Sequence, residues 1–289
     1  MILRSHHRIL VFGATGRQGT FWTGEMIKYG ARVVGAVNPR KAGETHLGLP
    51  VLGSAADAAG EFEVALMFVP PGAARDAVID ACEAGARLIV CLAEHIPVHD
   101  VMEMLAAARL HGSLVAGPNT AGLVTPGESF AGIMPAFNDA MFRPGTVGVI
   151  SRSGSLGALA CLNLSRRGFG QSTFFGVGGD QIIGTTTREA LELLDHDPGT
   201  SAVVICGEIG GNAEEEAAEY ASGMSKPVIA FIAGRASPPG KKMGHAGALV
   251  DGGTGSYASK RCSLEASGVA VANLPGELPE LIAAAVQAA

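Results

Sequence analysis

One pattern constrains this chain more than any other, and it occurs twice. A short apolar run meets a turn of glycine or small hydroxyl residues, and the turn opens into a helical stretch. The first copy runs from residues 8–12 through Gly13-Ala-Thr-Gly-Arg-Gln-Gly19 into a helix that ends near Tyr29. The second begins at residues 146–150, turns through Ser151-Arg-Ser-Gly-Ser155 and continues as a helix over 156–166. A strand that feeds a helix through a tight turn returns to its sheet by a right-handed crossover. Two such starts, each followed by alternating strands and helices, predict two doubly wound α/β domains in tandem.

After the first turn, strands are predicted at 32–37, 63–69, 87–93 and 113–116, with alanine-rich helices at 73–84 and 100–111. From 117 to 145 the pattern loosens around Pro118, Pro126, Pro135 and Pro144, which reads as an ordered connection. Strands at 172–177, 202–206, 228–233 and 269–272 follow, with helices at 189–194 and 214–224 between them. The expected division is therefore 1–120, a connecting segment 121–145, and 146–289. Composition agrees: 47% hydrophobic residues and 41 glycines suit buried parallel strands joined by tight turns.

A net charge of −6 argues against a nucleic-acid binder, which would carry a basic face. The five cysteines are scattered and read as reduced, mostly buried thiols. With no apolar run long enough for a membrane span and too short a start for a signal peptide, a cytoplasmic protein without membrane partners is expected.

The turn at Gly13 places backbone N–H groups at a helix N-terminus, where they can meet a phosphate. It is also the opening of many short-chain dehydrogenases, and a merely tight turn stays open as a reading. An NAD site would want an acidic residue after the second strand; that strand ends Val37-Asn-Pro-Arg-Lys41, and Arg40 and Lys41 suit a phosphate instead. None of Tyr29, Tyr220 and Tyr257 has a lysine four residues on, so hydride chemistry loses support. In the second turn, Ser153, Gly154 and Ser155 offer hydroxyls and N–H groups as another phosphate cradle, or simply a serine N-cap. Glu208 stands at the C-terminal edge of a strand, where ligands of such sheets gather. His245 sits between small residues in Lys241-Lys-Met-Gly-His-Ala-Gly-Ala248 and suits nucleophilic work, against the plain alternative of a loop histidine. A carboxylate that accepts its Nδ1 proton would leave Nε2 to attack. The acidic run 214–216 reads as a solvated helix start. Residues 234–242 look briefly like a P-loop, but their spacing and prolines exclude one, and no histidines or cysteines recur at metal-ligand spacing.

Together these motifs resemble the α subunit of succinyl-CoA synthetase over nearly the whole chain. The carriers are residues 13–21, Thr45-His-Leu-Gly-Leu-Pro-Val51, Gly117-Pro-Asn119, Ser151-Arg-Ser-Gly154, Gly170-Gln-Ser-Thr173, Gly178-Gly-Asp180, Gly207-Glu-Ile-Gly-Gly211 and Met243-Gly-His-Ala-Gly-Ala248. The resemblance implies a Rossmann-like CoA-binding domain followed by a flavodoxin-like ligase domain. It implies His245 as the phosphate carrier, Glu208 as its orienting carboxylate, and CoA contacts at Thr15, Gly16, Arg17, Gln18, Lys41, Val69, Pro70, Leu92, Ala93 and Glu94. An ATP-grasp β subunit holding ATP or GTP with Mg would complete a hetero-oligomer of the tricarboxylic acid cycle. Succinate is the default acid. The chain departs from the family pattern at Ala158, where tyrosine is usual, at Gln181, where proline is usual, and at Thr120, where cysteine is common; the linker also lacks the family's His-rich turn before Pro144. Ala158 and Gln181 point to a related acid such as malate. An NAD(P)-binding oxidoreductase and a non-catalytic CoA-binding protein are the rival readings.

Overall fold

The computed structural model describes residues 1–237, 244–245, 247–250 and 255–288. Lys241, Lys242, Met243 and Ala246 of the histidine motif lie outside them, as do residues 238–240 of the P-loop-like stretch. The fold divides into two units: residues 1–137 with 182–184, and residues 138–181 with 185–289.

The first unit grows outward from β1 (Arg8–Phe12), whose Ile9, Leu10 and Val11 are fully buried. No polar alternation is visible because helices cover both faces of the sheet. Around it stand α1 (Arg17–Tyr29), β2 (Arg32–Val37), β3 (Thr45–His46), β4 (Leu49–Leu52), β5 (Val64–Met67), α2 (Pro71–Glu83), β6 (Leu88–Cys91), α3 (Val98–His111) and β7 (Leu114–Ala116). The strand order is β3-β4-β2-β1-β5-β6-β7, parallel except for the β3 edge. Leaving out that edge, the six parallel strands run 3-2-1-4-5-6, the Rossmann order. The chain reverses direction across the sheet between β1 and β5, so a crevice opens beyond their C-terminal ends.

The expected connecting segment holds an antiparallel hairpin, β8 (Gly122–Thr125) and β9 (Ser129–Gly132), which belongs to the first unit. Both strands are four residues long and wholly buried, so neither shows the alternation by which a strand is read from sequence. Gly122 and Gly132 sit at φ 101° and 141°, where a Cβ on either would strike the opposite strand's backbone.

The second unit holds β10 (Pro144–Ser151), α4 (Gly154–Arg166), β11 (Gln171–Gly176), α5 (Thr187–Asp195), β12 (Ala202–Glu208), α6 (Ala213–Ala221), β13 (Val228–Ala233), α7 (Tyr257–Ala266), β14 (Ala270–Ala272) and α8 (Leu278–Ala288). Its parallel strands lie in the order β14-β13-β12-β10-β11, which in chain sequence is the flavodoxin-like 2-1-3-4-5. Here the reversal falls between β10 and β12. α5 starts with a capping box, Thr186 and Glu189 each satisfying the other's backbone N–H. α7 is not visible in the apolar pattern, because the side chains it buries are Leu264 and a lysine, Lys260. No helix among the described residues is long and apolar enough to cross a membrane.

Candidate active site

In the first unit the glycine turn is shaped by contact, residue by residue. Gly13 adopts φ 77°, and a Cβ there would run into the Phe68 carbonyl at the end of β5. Gly19 lets the first turn of α1 rest on the Gly13 carbonyl. Gly16 is the N-cap of α1, and no side chain caps that helix. Gly16, Arg17 and Gln18 are exposed and Thr15 is half-buried. Asn38, standing at the position where an NAD site carries its acid, donates to Thr15 Oγ1 at 2.7 Å, and its own oxygen accepts the Arg40 N–H at 3.1 Å. Its side chain is spent on holding the two turns together. Lys41 closes the 3-10 turn Pro39–Lys41 and is exposed, with Glu44 at 3.9 Å. Val69 and Pro70 follow β5, while Leu92, Ala93 and Glu94 follow β6, so every expected CoA residue lies at the C-terminal edge of this one sheet. An uncapped helix N-terminus flanked by basic residues fits a diphosphate, and half-buried apolar strand ends such as Val69 and Leu92 fit an extended apolar arm.

In the second unit the corresponding edge gathers a different chemistry. A cavity of about 340 Å³ is lined by Ser153, Ser155, Leu156, Glu208, Gly234 and His245, among others. Ser153 caps α4 by accepting the Leu156 N–H, and its Oγ lies 3.1 Å from that of Ser155, so the helix cap and the hydroxyl cradle are the same residues. His245 Nδ1 lies 2.8 and 3.0 Å from the two carboxylate oxygens of Glu208. The histidine side chain is 28% exposed, whereas that of Glu208 is 7% exposed. A carboxylate facing Nδ1 selects the tautomer protonated there and directs reactivity to Nε2. The ring lies so near the chain at Gly179 that a Cβ there would sit 2.6 Å from His245 Cγ. Cys206, two residues before Glu208, is no rival nucleophile: burial pushes its thiol up to about 12, and burial drives Cys161 upward as well.

Two neighbours of Glu208, and a lysine behind one of them, escaped the sequence reading. Arg152 is buried, donates to the Gly210 carbonyl at 3.1 Å, and places Nε 3.5 Å from Glu208 Oε1. Glu214 is fully buried and accepts the Glu208 backbone N–H at 3.2 Å. It is therefore not part of a solvated face, because its charge meets the ammonium of fully buried Lys260. The only signal for Arg152 was its place among small residues at a strand end; Lys260 gave none. Ala158 is half-buried on α4, and the cavity's lining from that helix is Ser155 and Leu156, not Ala158.

The comparisons with known proteins agree with both units. Residues 4–95 match the CoA binding domain family, and residues 150–270 match the CoA-ligase family. The α2 subunit of an ADP-forming succinate–CoA ligase from Archaeoglobus fulgidus is 46% identical over 285 residues, covering 98% of each chain. The chain belongs to the ADP-forming CoA ligase α subunits. Within this family of α subunits, that of a malate–CoA ligase from Methylorubrum extorquens is 42% identical over 282 residues, 95% of this chain and 94% of that one. In fold, the α subunit also superposes on ATP citrate lyase from Methanothrix soehngenii, solved with citrate and coenzyme A, with a TM-score of 0.89 at 23% identity. All of this chain is covered, and it spans 51% of that longer one.

Proposed function

We propose that this α subunit forms an acyl-CoA thioester from a small dicarboxylate, CoA and ATP or GTP, with His245 carrying the phosphoryl group. The observation that carries the reading is the bidentate approach of Glu208 to His245 Nδ1 beside the serine turn of α4. With Nδ1 protonated and facing the carboxylate, Nε2 attacks the terminal phosphorus of the nucleotide, forming a P–N bond as the P–O bond to the diphosphate breaks. The phosphorylated ring carries a positive charge, which the Glu208 carboxylate balances. Ser153, Ser155 and the first N–H groups of α4 receive the phosphoryl oxygens. The acid's carboxylate then takes the phosphoryl group, giving an acyl phosphate, and the CoA sulfur attacks the acyl carbon to release inorganic phosphate. Each displacement is easier than direct condensation.

CoA is assigned to the first unit: its diphosphate at Thr15, Gly16, Arg17 and Gln18 with Lys41, its pantetheine arm along Val69, Pro70, Leu92, Ala93 and Glu94. The nucleotide and its Mg are assigned to an ATP-grasp β subunit. Two features weigh against the rival readings. Asn38 takes the place of a ribose-binding acid, and a scaffold would have no use for a histidine aligned on a buried carboxylate.

The test is to add γ-labelled ATP or GTP to the reconstituted αβ complex and map the label. An acid-labile, alkali-stable label on His245, discharged by CoA plus the acid, is expected. Label on a serine, or full turnover by His245→Asn, overturns the mechanism.

A further inference from the structure

Behind Glu208 lies a set of buried charges for which the proposed reaction has no direct use. Lys260 on α7 is fully buried and contacts Glu214 Oε2, with Glu215 Oε2 at 3.4 Å. Glu214, in the first turn of α6 and also fully buried, turns its other oxygen the opposite way. That oxygen accepts the Glu208 N–H at 3.2 Å and lies 3.9 Å from Arg152 Nη1. Arg152 in turn reaches Glu208 Oε1 and the Gly210 carbonyl, and Gly247, two residues past the histidine, packs so closely on its guanidinium that a Cβ there would collide. A continuous path thus runs from Lys260 through Glu214 to the backbone and carboxylate of Glu208, and on to His245.

Buried ion pairs cost desolvation and are poor stabilisers compared with apolar residues of the same size. Stability alone therefore does not account for a lysine and a glutamate buried in this place. We propose that Lys260 and Glu214 are positioning residues for the histidine: Lys260 neutralises Glu214, so that Glu214 Oε1 stays on the Glu208 N–H and Arg152 stays on the Glu208 carboxylate. Without the ammonium, the orphaned Glu214 carboxylate draws Arg152 across and releases Glu208 from one side. The consequence for His245 is a loss of its fixed tautomer. In its catalytic readout this inference rests on the phosphohistidine reading, but its structural readout does not.

Two double variants separate positioning from packing: both remove the Lys260–Glu214 pair together, and both take the same ammonium from Glu215, so they differ only in the acceptor left for the Glu208 N–H. Lys260→Met/Glu214→Gln keeps an oxygen for the Glu208 N–H; Lys260→Met/Glu214→Leu does not. The tautomer of His245 is read by ¹⁵N NMR of the full chain, with the resonance assigned through His245→Gln, and the phosphorylation rate is read in the αβ complex. The glutamine variant is expected to hold the Nδ1–H tautomer and phosphorylate within about threefold of the natural chain, given its retained acceptor. The leucine variant, equally well folded by thermal melting, is expected to show mixed tautomers and a kcat lower by about tenfold or more, with KM for the nucleotide unchanged. Lys260→Met alone is expected to lose the tautomer as well. A folded leucine variant with the natural tautomer and rate overturns the proposal, and so does a glutamine variant as impaired as the leucine one. If the natural chain takes no phosphate on His245 yet the tautomer changes in the leucine variant, the phosphohistidine reading fails and the positioning role stands.

Discussion

The two turns that open the two sheets share one plan, strand, small-residue turn and helix, yet they end in opposite ways. At Gly16 the helix begins on a residue without a side chain, no side chain caps α1, and the nearby charges are exposed cations such as Lys41. At Ser153 the helix begins on a hydroxyl that caps it, and the charges beyond, Arg152, Glu208, Glu214 and Lys260, are buried and mutually held. On the proposed function the first arrangement holds an anion through backbone and screened charge, equally strongly before and after reaction. On the same reading the second fixes side chains where charge develops, and pre-arranged groups of that kind accelerate a step. On the proposed function, one plan thus yields a holding site where the turn residues are glycines and a reacting site where they are serines backed by buried charge.

The largest effects should fall on the second turn and leave the first untouched. His245→Asn is expected to abolish ligase turnover with the CoA dissociation constant, measured by calorimetry, unchanged. Glu208→Gln keeps the shape but presents an amide to Nδ1, and phosphorylation should slow by about a hundredfold or more, as when an orienting carboxylate is lost elsewhere. Equal losses of CoA affinity in these variants would erase the division of labour between the turns.

Changes in the first turn should do the reverse, and more mildly. Gly19→Ala forces a methyl group into the Gly13 carbonyl and pushes α1 off its turn. CoA affinity should fall about tenfold or more, while phosphorylation of His245 in the αβ complex proceeds at its usual rate. Lys41→Ala should weaken CoA by only a few-fold, because the lysine is exposed, and the deficit should shrink as salt rises from about 0.05 to 0.5 M, where screening already weakens the natural contact. A loss independent of salt would remove Lys41 from any phosphate.

The contrast also marks what the amino-acid sequence made legible. Most strands of both sheets and the residues at their C-terminal edges could be read, because parallel strands are continuous apolar runs and the turns are punctuated by glycine and serine; the short β3 and β4 could not, and the strand orders were implied only by the family resemblance. The hairpin β8–β9 could not, since four-residue strands buried on both faces carry no period. Nor could the pairing of Glu214 with Lys260, which lie 46 residues apart. Read locally, acids at a helix start belong in solvent; only the fold brings a lysine to one of them. His245 and Glu208 were legible because a glycine-flanked histidine and a strand-end carboxylate are each unusual locally, whereas the network that holds them is built from residues that are unusual only in burial.

The smallest expected effect concerns the acid, and it depends on where a side chain on α4 points. Side chains of an α-helix lean toward its N-terminus and cover the turn before their own Cα. A tyrosine at position 158 would therefore lie over Gly154 and Ser155, at the edge of the phosphate cradle, although Ala158 itself does not reach the cavity. The methyl group present here is smaller than that ring, and Gln181, exposed and outside the cavity's lining, carries a side-chain amide that can donate or accept where a proline has neither option. With the ring absent, the site is expected to accept hydroxylated or bulkier dicarboxylates than succinate. One ring's volume shifts discrimination by about 1–3 kcal/mol, so the outcome is a changed ranking and not exclusion. The measurement is kcat/KM for succinate, malate, itaconate and glutarate in the reconstituted complex, before and after Ala158→Tyr. Ala158→Tyr should favour succinate over malate by roughly tenfold relative to the natural chain, within the range that one such change in pocket volume supports. If the natural enzyme already prefers succinate by that margin and the tyrosine leaves the ranking as it was, the space beside Ser155 is filled from elsewhere and position 158 has no part in choosing the acid.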